Sequence, residues 1–389
     1  MAISRGEMII PEEAVSTTTA KEIFAQPQLW EAIIRQFEER KEAIRQYLSR
    51  FLAHTNGQII LTGAGSSAFI GETIVHRWRW SWHYPVYAVP TTDLVTHPET
   101  FFSRQRPTLL VSFARSGNSP ESIHTVQLAE QLSHPVYHLM VTCNEKGELL
   151  QQKELKNQFW LVLPPESHDQ ALAMTGSFTG MALVGLLLAD IFQQSIRHSD
   201  VTALVQAGKQ MLIDFSPVAQ QLANKPFRRA VFLGSGPLLG IARESHLKLQ
   251  ELTDGQVMCQ FDSFLGFRHG PRAVVQEDTL LVYLISPDAY ARQYEMDLIR
   301  EITELHLGGY RLAVGQQDVP AHDVDSGISI PVSVPEDLWG LVAVLPAQML
   351  GLFKSIRLGL NPDNPSRRGA ISRVVQGVQL YTYPAIAGG

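Results

Sequence analysis

The sequence predicts an α/β protein of two tandem units, each a parallel sheet covered by helices on both faces, preceded by a helical N-terminal segment. Similar stretches begin at Ile60 (ILTGAGSSAFIG) and Val231 (VFLGSGPLLGIA), 171 residues apart, and TLLV recurs at Thr108 and Thr279 with the same offset. A fixed offset between two pairs of matches indicates a duplicated unit. Short apolar runs alternate with helical patterns in each unit, as in parallel sheets with helical crossovers.

The N-terminal segment is assigned to residues 1–57. Apolar residues in TTTAKEIFAQPQLWEAIIRQFEERKEAIRQYLSRFL, from Thr17 to Leu52, recur at helical spacing. Thr19 and Glu22 have the spacing of a capping box, and Pro27 is expected to interrupt the helix. We therefore predict a helical segment that packs on the two units.

The two predicted domains are residues 58–213 and 227–389, with the duplicated part running from about Ile59 to Asp200 and again from about Arg229 onward. A polar link containing a proline, DFSPVAQQLANKP at 214–226, is expected between them. After the strand at Ile60, further strands of the first unit are expected near Val86, Leu109, Leu139 and Leu161.

Composition narrows the class of protein. The chain has 389 residues, 45% of them hydrophobic, and a formal net charge of -6, which argues against a basic nucleic-acid surface. Cys143 and Cys259 are its two cysteines and have no metal-ligand spacing, which indicates a reduced compartment. No export signal precedes the first unit, and the apolar stretch from Met181 is interrupted by Asp190 and too short to span a membrane. We expect a cytoplasmic protein that binds neither membrane nor nucleic acid.

Glycine turns after the first strand of each unit are the expected ligand sites, because parallel sheets bind ligands beyond the carboxyl ends of their strands. The first turn, Gly63–Ala68 (GAGSSA), fits a dinucleotide fingerprint, but the nearest following acidic residue, Asp93, is poorly placed for a ribose. The hydroxyls of Ser66 and Ser67 at a helix start suit a phosphate monoester better.

A second polar turn, SFARSGNS, follows the strand at Thr108. If that strand adjoins the first one, Ser116, Gly117 and Ser119 lie beside Ser67, and Arg115 adds a charge-assisted hydrogen bond to the phosphate. The alternative is that these residues only cap a helix. The equivalent turns of the second unit, GSGPLL and LISPD, have lost most of the hydroxyls, so we expect the first unit alone to bind phosphate.

Candidate catalytic residues occur in the second unit. Glu244, Lys248 and Glu251 share one helical face in GIARESHLKLQELTDG, and the alternative interpretation is a solvated stripe of ion pairs. His269 follows in FLGFRHGPRAVV, where it is either a structural hydrogen-bonding residue or an acid or base near neutral pH.

These motifs resemble those of sugar isomerase (SIS) domains. GAGSSA and ARSGNS match the phosphate loops of that family, and E-x-x-x-K-x-x-E followed by HGP matches its catalytic segment. The resemblance covers nearly the whole chain and is closest to the AgaS family of galactosamine-6-phosphate deaminases/isomerases, through SFARSGNSPES, GFRHGP, RVVQGV and EIFAQPQLW. It implies two flavodoxin/Rossmann-like sheets.

The resemblance also implies roles for individual residues. Glu251 matches the base that moves a proton between C1 and C2, and His269 matches a ring-opening residue that relatives supply from the neighbouring subunit. Glu244 and Lys248 match residues that line the site. The phosphate ligands are implied to be Ser67, Ser116, Ser119 and the backbone around Gly117, with Arg115 where the related glucosamine-6-phosphate synthase has glutamine.

The C-terminal region departs from the synthase, which has a lysine over its site. The tail NPDNPSRRGAISRVVQGVQLY has no lysine, and whether Arg367, Arg368 or Arg373 takes its place is left open. We expect a homodimer or a higher homo-oligomer in which His269 completes the neighbouring chain's site.

The expected activity is the deamination of galactosamine 6-phosphate to tagatose 6-phosphate and ammonia, with no cofactor and no metal. A single carboxylate can remove the C2 proton and return it to C1, after which water hydrolyses the imine at C2. The alternatives are an aldose–ketose isomerase of tagatose 6-phosphate, a glucosamine-6-phosphate deaminase, and a non-enzymatic sugar-phosphate sensor. The remaining alternative is a nucleotide-binding oxidoreductase, which the fit of the first glycine turn to a dinucleotide fingerprint suggests.

Overall fold

The structure is a computed structural model that describes residues 3–5, 8–152, 155–375 and 377–384. The described strands are β1 Ile3–Arg5, β2 Met8–Ile10, β3 Gln58–Thr62, β4 Val86–Ala88, β5 Thr108–Ala114, β6 Val136–Thr142, β7 Gln158–Val162, β8 Arg229–Gly234, β9 Met258–Asp262, β10 Thr279–Leu284, β11 Tyr310–Gly315 and β12 Ser326–Ser329. The described helices are α1 Thr18–Phe24, α2 Gln26–Leu52, α3 Ser66–Ser81, α4 Thr91–Thr96, α5 Pro120–Leu132, α6 Gly176–Ala189, α7 His198–Ala223, α8 Pro237–Leu252, α9 Phe264–Phe267, α10 Ala289–Glu304, α11 Glu336–Ala343 and α12 Leu345–Arg357. All the strands predicted for the first unit are present.

Two five-stranded parallel sheets form the framework, with the orders β4-β3-β5-β6-β7 and β9-β8-β10-β11-β12. Each sheet therefore has the chain order 2-1-3-4-5 of flavodoxin-like folds. Every residue of β3, β5 and β6 is buried, as expected for strands that helices cover on both faces. The predicted fold class is confirmed.

The strand pairing confirms the duplication. Gln58 pairs with Thr108 in the first sheet. In the second sheet Arg229 pairs with Thr279, and each of these two residues lies 171 positions after its equivalent in the first sheet. Helices α3 and α8 begin and end with the same offset and pack against each other. An ion pair joins Glu72 to Arg243, which occupy equivalent positions, so a local two-fold axis passes through this helix contact.

The N-terminal helices pack on both units, as predicted. The helix is interrupted at Ala25, between α1 and α2, two residues before the interruption expected at Pro27. Pro27 instead lies in the first turn of α2. Trp30 of α2 is fully buried and donates from Nε1 to Thr179 Oγ1 at 3.0 Å in α6. The short antiparallel pair of β1 and β2 precedes these helices, so the segment is not helical throughout.

The predicted capping box at Thr19 and Glu22 is wrong. Thr17 is the N-cap residue and accepts a hydrogen bond from the backbone N–H of Ala20 at 3.2 Å. Thr19 lies in the first helical turn, and its hydroxyl donates to Asp363 Oδ1 at 2.8 Å. The Asp363 carboxylate also accepts the backbone N–H groups of Thr18 and Thr19, the first two of α1. A single residue more than 340 positions away in the chain therefore completes this cap.

The predicted link at 214–226 is largely helical, because α7 continues to Ala223 with Pro217 inside it. A proline in a helix interior removes one hydrogen bond and disfavours the helix. Burial of Phe215, Ala219 and Leu222 against the core offsets that cost. The boundary between the two domains stays a prediction.

The apolar stretch from Met181 lies in α6, whose residues are all buried. Within the described ranges, one helical stretch, Glu336–Arg357, is long and apolar enough to cross a membrane, and 94% of its apolar 18-residue window is buried inside the protein. It comprises α11 and α12, which pack on α7 and α8. Such burial is typical of core helices.

Gly240 lets α8 approach α3 closely, because a Cβ at this position would lie 2.6 Å from Thr73 N and Oγ1. We expect Gly240→Ala to lower the free energy of unfolding by about 1–3 kcal/mol, since the two helices would have to separate. Urea denaturation measures the loss. The control is Gly327→Ala, where the nearest atom would be Val324 Cγ2 at 4.0 Å; equal stabilities of the two variants would contradict the close-contact explanation.

Candidate active site

A cavity of about 760 Å³ lies between the two units, at the carboxyl edge of the first sheet. Five segments line it: the turn at 64–66, Arg115, Leu172 and Met174, part of 247–255 at the end of α8, and part of 369–375. We call residues 361–375 the C-terminal strap. The cavity thus joins the first unit's glycine turn to the second unit's candidate catalytic helix.

Lys248 is the centre of the polar wall of this cavity. It is 1% exposed, and its Nζ lies 3.1 Å from Glu244 Oε1, forms an ion pair with Glu251 and donates to Ser66 Oγ at 3.1 Å. The shared face predicted from the i, i+4 and i+7 spacing is confirmed. The solvated-stripe interpretation is wrong, because Glu244 is fully buried where α8 packs on α3.

Burial and charge shift the pKa values of Glu244 and Lys248. Desolvation raises the pKa of Glu244 to about 7, although Lys248 opposes the rise. Burial lowers the pKa of Lys248, but the two neighbouring carboxylates raise it more, and the net pKa lies above the usual range. Lys248 is therefore a charged ammonium at neutral pH. Only Glu251 retains exposure, with 14% of its side chain accessible.

The first glycine turn places a helix N-terminus against the cavity. Gly65 is the N-cap of α3 with φ 57° and ψ -129°, a conformation that favours glycine, and nothing lies within 4 Å of where its Cβ would be. Ser66 lines the cavity, and the first N–H groups of a helix have no partner within the helix. Ser67 is buried, with its hydroxyl 3.9 Å from Met174 Sδ.

The second predicted phosphate turn lies at the same sheet edge but outside the cavity lining. Gly117 has φ 67° and packs on Gly147, and the carbonyl of Ser116 accepts a hydrogen bond from Asn144 Nδ2 at 2.8 Å. Ser119 is the N-cap of α5 and makes no side-chain cap bond. Arg115 does line the cavity, with its guanidinium held by backbone carbonyls. That these residues bind phosphate stays a prediction.

His269 is exposed, follows the short helix α9, and is not among the residues that line the cavity. The flanking Arg268 and Arg272 both pair with Glu301. The structure therefore brings Ser66, Lys248 and Glu251 together without His269. Its service to a neighbouring chain's site stays a prediction.

The equivalent edge of the second unit is filled by the chain's own carboxylates. Ser286, in the turn after β10, donates from its backbone N–H to Glu295 Oε2 at 2.9 Å and from its hydroxyl to Glu336. Burial raises the pKa of Glu295 to about 7. An added phosphate here would meet two carboxyl groups. That the first unit alone binds phosphate stays a prediction.

Sequence reasoning missed the loop at 169–174. Leu172 and Met174 form an apolar side of the cavity, and the Asp169 carboxylate accepts the backbone N–H groups of Thr175 and Ser177 at 2.7 and 2.9 Å, which fixes the start of α6. In the strap, the sequence points to the arginines and to RVVQGV but not to Ile371, which lines the cavity. No local motif marks the loop at 169–174 as part of a site.

The SIS domain family model matches residues 51–189. A D-galactosamine-6-phosphate deaminase AgaS of Shewanella sp. (strain ANA-3) is 39% identical over 94% of this chain and 92% of its own length. The Escherichia coli protein of the same name is 40% identical over 96% and 97%. This chain belongs to the AgaS family of SIS-domain proteins. The resemblance seen in the motifs is confirmed.

A solved structure supports the family assignment. The tagatose-6-phosphate ketose/aldose isomerase from Escherichia coli superposes with a TM-score of 0.86 at 34% identity, covering 96% of this chain and 99% of its own. The names of these AgaS-family relatives and neighbours thus refer to two reactions of sugar 6-phosphates. The alignment with the Escherichia coli deaminase covers 96% of this chain. It therefore includes the second unit, which the SIS domain model does not match.

Removing the Lys248 ammonium would leave Glu244 without its counter-charge. We expect Lys248→Met to cost about 3–5 kcal/mol of unfolding free energy near pH 8, because a buried charge loses its partner. When folding raises the pKa of a carboxyl group, the free energy of unfolding falls as the pH rises from the unfolded-state pKa to the folded-state pKa. In the native protein this fall ends near pH 7, the pKa of Glu244. In Lys248→Met we expect the pKa of Glu244 to be higher, so the free energy of unfolding continues to fall above pH 7.

Urea denaturation at about pH 6 and about pH 8 measures this difference. The control is Lys248→Met combined with Glu244→Gln, which removes the titrating group and is expected to remove the additional pH dependence. An identical stability deficit of Lys248→Met at both pH values would contradict the buried pairing.

Proposed function

We propose that this protein deaminates an amino-sugar phosphate, converting galactosamine 6-phosphate to tagatose 6-phosphate and ammonia. The observation that carries the proposal is that Lys248 contacts both Ser66, at the glycine turn, and Glu251, the candidate base. One side chain therefore joins the phosphate end of the cavity to its reactive end. The AgaS-named relatives at 39% and 40% identity support the substrate.

The reaction needs one proton to move between adjacent carbons. In the open-chain aldose, the carboxylate of Glu251 removes the C2 proton, and the electron pair of the C–H bond forms the C1–C2 double bond as the carbonyl oxygen takes up charge. Return of the proton to C1, with transfer of one amine proton to the C1 oxygen, leaves a C1 hydroxyl and an imine at C2. Water adds to that imine and expels ammonia, which gives the ketose phosphate.

The geometry supports a division of roles in the cavity. The N-terminus of α3 at Gly65 and Ser66 offers N–H donors and a positive helix end to the phosphate. The Lys248 ammonium keeps the adjacent Glu251 carboxylate oriented through their ion pair. Glu251 is the member of the triad that a bound sugar can reach, since Glu244 is fully buried.

A second copy of the chain is part of the proposal. His269 is exposed and absent from its own chain's cavity lining, which fits a ring-opening residue donated across a homo-oligomer interface. We further propose that the enzyme works in the cytoplasm, supported by its free cysteines, buried Cys143 and partly buried Cys259.

Aldose–ketose isomerisation is the second candidate, favoured by the likeness to the Escherichia coli isomerase structure. Both reactions share the proton transfer and differ only in the loss of ammonia. Incubation with galactosamine 6-phosphate, glucosamine 6-phosphate and tagatose 6-phosphate, with ammonia and sugar products assayed separately, distinguishes them. Ammonia from the first substrate supports deamination, whereas conversion of tagatose 6-phosphate alone supports isomerisation. No turnover of any of the three contradicts an enzymatic role and favours a sensor.

Glu251→Gln is expected to lower kcat by about 100-fold to 10,000-fold, because an amide keeps the shape but cannot accept the C2 proton. Ammonia release measures turnover, and exchange of the C2 hydrogen with deuterated water, followed by NMR, isolates the proton transfer. The control is Glu304→Gln on the exposed end of α10, expected to leave both unchanged. Normal C2 exchange in Glu251→Gln would rule out Glu251 as the base.

Each chain is expected to bind one phosphate, at the first glycine turn. Gly65 and its equivalent Gly236 have nearly the same backbone angles, φ 57° and 53°, and open space where a Cβ would be. Substitution by alanine strains both turns alike, but we expect only Gly65→Ala to weaken the binding of inorganic phosphate, by about tenfold or more.

Isothermal titration calorimetry of the full chain measures both stoichiometry and affinity. Gly236→Ala is the matched control and is expected to bind phosphate as the native protein does. Equal weakening in the two variants, or two phosphates per chain, would contradict the assignment to the first unit.

A further inference from the structure

Arg115 lies directly after β5, at the position where a phosphate ligand is predicted, yet its guanidinium is engaged by the protein itself. It is 8% exposed. Nη1 donates to the carbonyl of Leu172 at 2.9 Å and, at the longer distance of 3.4 Å, to that of Ala171, and Nη2 donates to the carbonyl of Arg373 at 2.6 Å. One planar cation thus joins three backbone acceptors from two segments.

The same two segments are joined a second time. The side chain of Arg373 donates from Nε to the carbonyl of Asp169 at 3.0 Å, and its Nη2 contacts the same oxygen. Arg115 therefore holds the strap through the backbone of Arg373, and Arg373 holds the loop through the backbone of Asp169. We call this pair of contacts the arginine clasp.

The clasp joins two segments that line the cavity. Leu172 and Met174 come from the loop, Ile371 and Val375 come from the strap, and all four line the cavity that Lys248 and Glu251 also line. Most of the strap beyond the clasp is exposed, including Arg367 and Arg368.

The strap has other contacts as well: the Asp363 carbonyl accepts the backbone N–H of Leu172 at 3.0 Å, its carboxylate accepts from the first residues of α1, and Arg367 bonds to Asp254 and to the carbonyl of Gly359. The clasp is made at Arg373, between the cavity-lining residues Ile371 and Val375, so it acts on the position of that end of the strap.

A guanidinium suits this task better than an ammonium. Its fixed planar fork satisfies several acceptors at once, whereas lysine has the same charge without the fork. Hydrogen bonds from a charged donor are worth more than neutral ones, and losing them leaves buried carbonyls without a partner. Burial lowers the pKa of Arg115, but arginine stays charged at neutral pH.

We propose that Arg115 is a positioning residue that sets the apolar wall of the active-site cavity by clasping the C-terminal strap to the loop at 169–174. Its effect on catalysis passes through the placement of that wall over Glu251, not through charge on the phosphate. This inference rests on the proposed function for its kinetic part only. Its structural part concerns the strap in the ligand-free protein.

Two variants with conserved charge test the proposal. Arg115→Lys keeps the cation and loses the fork, and Arg373→Lys keeps the carbonyl that Arg115 uses and loses the grip on Asp169. Limited trypsinolysis of the full chain, with mass spectrometry of the fragments, measures cleavage after Arg367 and Arg368 without ligand. We expect cleavage about tenfold faster in both variants, because the strap opens more often once a charge-assisted hydrogen bond is lost.

The matched control is Arg104→Lys, an exposed residue distant from the strap in the sequence, for which we expect native cleavage. Arg373→Lys also keeps the test decisive if the buried Arg115 variant fails to fold. Native cleavage rates in Arg373→Lys, or in a folded Arg115→Lys, would overturn the proposal. These outcomes do not depend on turnover, so they are separate from any failure of the proposed function.

Kinetics with galactosamine 6-phosphate provide the second readout. A misplaced wall is expected to lower kcat by about tenfold in Arg115→Lys and to change KM by less than about threefold, because the phosphate contact is retained. Affinity for inorganic phosphate is expected to stay within the same threefold range. A rise in KM and in the phosphate dissociation constant, with kcat unchanged, would overturn the proposal in favour of a direct phosphate ligand.

Discussion

The buried ammonium of Lys248 is the interaction on which the site depends. A cation that is 1% exposed is tolerable only because two carboxylates and a hydroxyl surround it, and these partners come from both halves of the chain. Glu244 and Glu251 belong to α8, whereas Ser66 begins α3. The close helix contact through Gly240 brings these groups together, so the packing of the two units and the chemistry of the cavity are one constraint.

The two duplicated units share one framework. Both units keep the strand register and the glycine turn, but they differ in what lies above their strand ends. The first unit leaves a cavity at its turn, while the second places Glu295 and Glu336 on Ser286. Carboxyl groups of the chain itself therefore occupy the strand ends in the second unit, whereas the first unit has a cavity there. The second unit instead supplies α8, the helix with the candidate base Glu251.

The ends of the chain complete the structure around this cavity. Asp363, at the start of the strap, caps α1, and the arginine clasp holds the strap's end on the loop at 169–174. Glu22 of α1 supports the same loop by accepting the backbone N–H of Gln170 at 2.5 Å, and burial together with Asp169 raises its pKa to about 7. The N-terminal helices thus support the cavity through the loop, and the strap lines it directly.

The sequence by itself determined the repeat, the sheet class and the shared face of Glu244, Lys248 and Glu251, because periodicity and spacing depend on local geometry alone. It also predicted the glycine turn at Gly65. Tertiary structure decided that Lys248 is buried, that Arg115 binds carbonyls, and that Asp363 caps a helix more than 340 residues away. These outcomes depend on which distant segments come into contact. A backbone carbonyl that accepts a hydrogen bond cannot be recognised in the sequence, because every residue has one.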